Sequence, residues 1–289
     1  MKKRLIILSG LCLIILSGCG KEEKSAASKN SYSVQSVSKE SYQETTEDTR
    51  QVVEDSIARE QEKEAKKKEK EQKSSEGQVM TYSETDEGMI VSVYLGEKKD
   101  VKIPKMVRGK PVIGINGSFK GQSRIRSVEI PETVRFIGKE SFMYCDNLET
   151  VTIKGEGLEE IDEWAFYYCE SLKKINLPDT VTKIEMVAFE GCQALQEIKL
   201  PANMKEVGEG IFGETGLEKV DIPDGVTKIH NMAFYKCTSL EEVTIPESVT
   251  DIHGGSNGSF IDSPNVTIVT PKGSYAETYA KEEGIPVKH

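Results

Sequence analysis

Cysteine is the residue type in this chain best placed to do chemistry. Cys145, Cys169 and Cys192 lie 23–24 residues apart, and Cys237 follows 45 residues later. All four hold one position of a repeating unit, and Thr215 holds it in the unit between Cys192 and Cys237. Stacked units would bring adjacent Cα atoms to about 5 Å, inside the disulfide range. In-register side chains point the same way, however, so the Cβ atoms stay about as far apart, beyond the ~3.8 Å that a disulfide prefers. Zinc needs ligands that converge, and these would stack. The expectation is therefore free, buried thiols packing as small apolar groups, with no metal and no cofactor.

Histidine is nearly absent, with only His230, His253 and His289. His230 and His253 share one frame position, in a column that carries Asp162 and Glu185 further up. That column reads as a solvated polar row, with a metal or pH-sensitive pair as the alternative. Ser/His/Asp and Cys/His catalysis has almost nothing to build from, and no glycine-rich phosphate loop follows a strand. No catalytic residues, and hence no enzyme, are expected.

Aromatic residues offer recognition instead. Trp164, the only tryptophan, lies beside Tyr167 and Tyr168, and Tyr144 matches Tyr168 one unit earlier. Large rigid rings are favoured at binding hot spots, so these four are the candidate binding residues. Half-burial between coils, or packing of the tyrosines on one another, is the competing reading. The GGSNGS run from Gly254 to Ser259 reads as a mobile rim loop.

The element that must position these residues is a repeat. Phe119, Phe142, Phe166, Phe189, Phe212 and Phe234 follow one another at 22–24 residues, with Phe260 after them. A unit of that size cannot bury its own core, so the units must stack as a solenoid. Val128/Ile130 and its equivalents Val151/Ile153, Ile175/Leu177, Ile198/Leu200, Val220/Ile222 and Val243/Ile245 alternate with polar residues, the period of a half-buried strand. Proline follows in most units and ends that strand. Pairs such as Val134/Ile137 and Val181/Ile184 mark a second extended side. The outward residues Ser127, Thr150, Lys174, Glu197, Lys219, Glu242 and Asn265 read as a column of alternating charge that neutralises the strand face and pins register.

The units VEIPETVRFIGKESFMYCDNL (Val128 to Leu148) and VDIPDGVTKIHNMAFYKCTSL (Val220 to Leu240) closely resemble the BspA-like leucine-rich repeat family. The resemblance runs from Val101 to Thr267. It implies a leucine-rich-repeat-type stack of about seven coils of 22–24 residues with short parallel strands. It also implies a surface protein that binds proteins of a host or a neighbouring cell.

Both ends read as caps. Met80 to Leu95 is expected to be a hairpin turning near Asp86-Glu87-Gly88. Val266 to Thr270 reads as a last strand and Ser274 to Glu283 as a helix, with Ser274 and Glu277 as a capping box and Gly284 as its stop. Tyr275, Ala276, Tyr279 and Ala280 would cover the open end of the last coil.

The remainder of the chain is different material. Residues 1–18, MKKRLIILSGLCLIILSG, carry three positive charges and then a short apolar run, an export signal rather than part of the fold. Leu16-Ser17-Gly18-Cys19 resembles a bacterial lipobox, which makes Cys19 the expected lipid anchor. Residues 19–77 are rich in Ser, Lys and Glu, bury too little to order, and read as a tether reaching roughly 40 Å on average. The expected divisions are thus 1–18, 19–77, a cap at 78–100, the solenoid at 101–265 and a cap at 266–289.

The chain's net charge is −10, and the residues after Gly77 carry −11 of it against +3 on the signal and −2 between. An acidic solenoid disfavours nucleic acid and anionic membrane surfaces. Together these features lead to an extracytoplasmic, lipid-anchored, monomeric module that touches the membrane only through Cys19. Its expected partner is an extracellular protein or glycan; the alternative is an architectural spacer with no ligand.

Overall fold

The structure is a computed structural model and describes residues 79–289. The export segment, Cys19 and the tether expected over residues 19–77 lie outside the described residues.

From Met89 onward the described residues form short elements that repeat coil by coil. Strands β1 (Met80–Glu84) and β2 (Met89–Tyr94) form the expected antiparallel hairpin, and β2 then pairs in parallel with β5 (Lys110–Ile115). The first coil is irregular because β4 (Met106–Val107) folds back on β5. Beyond it each coil has two strand sides. On one, β3 (Asp100–Lys102), β6 (Ser127–Ile130), β8 (Thr150–Ile153) and β10 (Lys174–Ile175) pair in parallel. On the other, β5 is followed by β7 (Phe136–Ile137), β9 (Glu160–Ile161) and β11 (Lys183–Ile184).

Alternation decides which way the side chains face. Val128 and Ile130 are buried while Ser127 and Glu129 face out, the pattern of a sheet with one face in the core. The Phe corner makes a third ladder. Each Phe amide donates to the carbonyl just before the next coil's Phe, as from Phe142 to Ala165 at 2.7 Å and Phe166 to Ala188 at 2.8 Å. The Phe rings stack beneath it, buried, with centroids 4.9–5.9 Å apart from Phe119 to Phe234. Ring faces offset at such distances are a favoured aromatic arrangement.

Turning this corner takes two left-handed residues per coil. One column is Gly117, Glu140, Trp164, Val187, Gly210 and Met232, and it lapses in the last coil, where Gly258 has φ −56°; the other is Gly121, Tyr144, Tyr168, Gly191, Glu214, Lys236 and Asp262. Glycine fits such positions without steric cost, and other residues meet their own Cβ there.

Both strand ladders break around the coil that spans residues 197–207. The segment Glu197–Leu200, apolar-alternating like its neighbours, is not a strand, and β10 is followed by no partner. The sheet resumes with β13 (Lys219–Asp221), β15 (Glu242–Thr244), β17 (Thr267–Val269) and β18 (Val287–Lys288). On the second side β11 is likewise unpaired with β12 (Glu206–Val207), which continues to β14 (Lys228–Ile229) and β16 (Asp251–Ile252). The Phe corner crosses this seam intact, through Phe189 N–H to Ile211 C=O at 3.0 Å.

Two departures from the repeat coincide with the seam. Asn176 spends its side-chain amide on Ile153, accepting from its N–H and donating to its C=O at 2.9 Å each, so backbone pairing stops after Ile175. One unit further on, Phe212 and Leu217 are five residues apart instead of six. Gly216 closes that shortened corner; a Cβ there would lie 2.1 Å from the Gln193 carbonyl oxygen.

The C-terminal cap agrees with the expectation in part. Helix α1 (Tyr275–Glu282) starts at Ser274, whose Oγ accepts from Glu277 N–H, and Gly284 follows it at φ +72°. Ala276, Tyr279 and Ala280 are buried against the last coil, but Tyr275 points to solvent, since the contact face of one turn admits its neighbours and not it. The chain then returns as β18. The Gly254–Ser259 run is no free rim: Gly255 N–H donates to Glu283, and the Tyr279 hydroxyl donates to the His253 carbonyl.

Candidate binding surfaces

The tyrosines sit on the Phe corner, one and two residues past the buried ring. Tyr144 and Tyr168 occupy the second left-handed column at φ +58° and +52°. That geometry turns their side chains outward while Phe142 and Phe166 point in. Tyr144 is the most exposed of the three, and its ring lies 5.7 Å from Tyr167, edge-on, and 6.1 Å from Tyr168. Tyr167 and Tyr168 are 4.6 Å apart. Tyr168 lies over Gly191, where an added Cβ would meet its ring at 2.7 Å, and its hydroxyl donates to Glu214 at 2.9 Å. That hydrogen bond, with partial burial, raises the Tyr168 phenol to about 12.

A second surface lies at the seam. A cleft of about 800 Å³ opens between Glu197–Ala202 on one coil and Glu218–Gly225 on the next. Ile198 is only half-buried there, whereas its equivalents Val151, Ile175 and Val220 are buried. Asp179 clamps the rim from the preceding coil, accepting from Ala202 N–H at 3.1 Å and Lys199 Nζ at 3.2 Å.

Residues 112–212 and 159–277 match the BspA type Leucine rich repeat region, in six copies that together span more than half of the chain. The chain belongs to the BspA-type leucine-rich repeat family. Among solved structures it is similar to a leucine-rich repeat protein of T. pallidum, at 24% identity and a TM-score of 0.51, over 72% of this chain and 95% of that one. It is also similar to a leucine-rich repeat protein of Bacteroides ovatus, at 20% identity, 67% and 70% coverage and a TM-score of 0.39. A leucine rich cell surface protein of Faecalibacterium prausnitzii is 18% identical, with 70% and 95% coverage and a TM-score of 0.34. The first likeness supports the fold. No curated protein matches the chain.

Within this leucine-rich repeat solenoid, the structure brings Tyr144, Tyr167 and Tyr168 together but sets Trp164 apart. Trp164 belongs to the other left-handed column, and no ring contact joins it to the tyrosines among the described residues. Its ring is half-buried and covered by Lys139, whose Nζ stands 4.3 Å from the centroid while pairing with Glu163.

The charge column needs two corrections. Glu242 pairs across the sheet with Thr267, so Thr267 and not Asn265 ends it. The alternation is also interrupted. Lys219 and Glu242 approach to 3.9 Å, but Glu197 is off the ladder and leaves Lys174 and Lys219 without the neighbour that the spacing assigned them.

The four thiols are free and buried. Beyond packing, they donate: Cys145, Cys169, Cys192 and Cys237 point to the carbonyls of Phe119, Phe142, Phe166 and Phe212, one coil back, at 2.9–3.2 Å. Burial pushes Cys145 up to about 12 and Cys237 to about 11, and raises Cys169 and Cys192 as well. His230 turns its Nε2 to Glu206 at 2.7 Å. Sequence reasoning named the tyrosines and missed the cleft.

Proposed function

We propose that this solenoid is a binding module held outside the cell membrane by a lipid on Cys19, recognising an extracellular protein or glycan through its tyrosine flank. The carrying observation is that Tyr144 and Tyr168 stand in a left-handed column where Gly121 and Gly191 satisfy the same backbone. A non-glycine residue there bears a penalty on the order of 1 kcal/mol. Glu214, Lys236 and Asp262 bear the same penalty further along the column, and what sets the two tyrosines apart is that their rings lie side by side and partly open to solvent. Rigid rings give much contact area for little lost rotamer entropy. The described domain is acidic, which turns the reading away from nucleic acid, and no catalytic step forms part of it.

An architectural spacer is the rival. It needs the stack and the anchor but no ring pair, and it predicts no partner. Two experiments bear on the proposal. Cys19→Ala should release the protein from the membrane detergent phase, and unchanged partitioning would remove the anchor. A glycan array and a pull-down of purified surface proteins, each with the parent and the Tyr144→Ala/Tyr168→Ala variant, test recognition.

A further inference from the structure

The seam cleft is lined by an unfinished sheet edge. Ile222 N–H donates to Thr244 C=O, toward the following coil. In a parallel ladder the residues on either side of that register face the opposite way. Lys219 and Asp221 therefore aim their amides and carbonyls into the cleft. The segment that should receive them does not: among the described residues, one backbone bond, Glu218 N–H to Gln196 C=O at 3.0 Å, joins the two stretches at the corner. Such an edge is a template for another strand.

The surroundings define what could be added. Half-buried Ile198 and buried Leu200 and Ile222 supply apolar surface for the inward side chains of a strand. The rim carries Glu197, Glu218, Asp221 and Asp224, all exposed, against Lys199 and Lys219. Both lysines are already engaged, with Asp179 and Glu242, so the cleft is left with an acidic excess. We propose that it receives an extended segment of a partner protein, alternating apolar and basic residues, which pairs with the open edge of β13. This site is separate from the tyrosine flank and does not depend on it.

The test uses the full chain and a fluorescein-labelled, end-capped heptapeptide of alternating lysine and valine, followed by anisotropy. Two control peptides carry glutamate in place of lysine, or N-methyl groups on alternate backbone amides. The lysine–valine peptide should bind at least tenfold more tightly than either control. Glu197→Lys with Asp221→Lys should weaken it at least tenfold, and Tyr144→Ala/Tyr168→Ala should not. Equal binding of the N-methylated peptide overturns strand pairing, whatever the charge-reversed chain does. Equal binding by a folded charge-reversed chain overturns the location, and no binding overturns both. Sedimentation that shows a dimer, lost on charge reversal, would assign the cleft to a second copy and overturn the proposal too.

Discussion

The Sγ of Cys169 lies 3.1 Å from the carbonyl oxygen of Phe142, one coil earlier, and donates to it. That carbonyl already accepts the Cys145 amide of its own coil, so the thiol fills its second lone pair. In the last coil Ser263 makes the same contact, to Phe234 at 2.6 Å. The column is thus defined by a small donor. The thiolate is disfavoured throughout because burial raises all four pKa values.

Two outcomes follow for this column. Cys169→Ser should keep the donor and change stability by less than about 1 kcal/mol, whereas Cys169→Ala, which loses the donor and the sulfur's packing, should be worse. Urea midpoints of the two decide it. In the folded protein all four thiols should react slowly with a bulky disulfide reagent and rapidly once denatured.

Phe189 carries the core across the seam. It is fully buried and stacked on Phe166 at 5.2 Å and Phe212 at 5.9 Å. Phe189→Ala should cost about 3–5 kcal/mol, the range for a buried Phe truncation. A shift in urea midpoint worth under ~1 kcal/mol would show that stacking does not hold the two halves of the ladder together.

The C-terminal cap should be acid-sensitive. Glu277 is held down to about 2 by its bond to Lys281 and by the Gly273 N–H, below its ordinary 4.5. A carboxyl depressed on folding stabilises above its unfolded value and loses that contribution as pH falls through the folded one. Glu277→Gln should therefore lower the melting temperature at pH 7, and the gap from the parent should shrink between pH 4.5 and 2. A gap that is constant with pH would contradict this.

Much of the architecture was legible in the residues, because ladders of like side chains repeat what each coil needs. The Phe spacing gave the stack, Val128/Ile130 the strand face, and Ser274 with Glu277 the helix start. The seam was not legible in the same way. Ile198 and Leu200 keep the apolar pattern, so the break is signalled only by Asn176 and the shortened Phe212–Leu217 step. Trp164 was grouped with the tyrosines because neighbours in sequence look like neighbours in space; two left-handed turns per coil send them to different places. Strand β18, three residues after the helix stop at Gly284, has no alternation to read.

The tyrosine flank is the central claim, and one measurement tests it most directly. The full chain is titrated against the ligand identified on the glycan array or in the pull-down, in parallel with Tyr144→Ala/Tyr168→Ala and with Lys174→Ala/Glu242→Ala on the strand face. The account predicts at least a tenfold loss of affinity for the tyrosine pair, less than twofold for the strand pair, and unchanged melting for both. Equal loss in the two variants, or a tyrosine variant that binds like the parent, would contradict it.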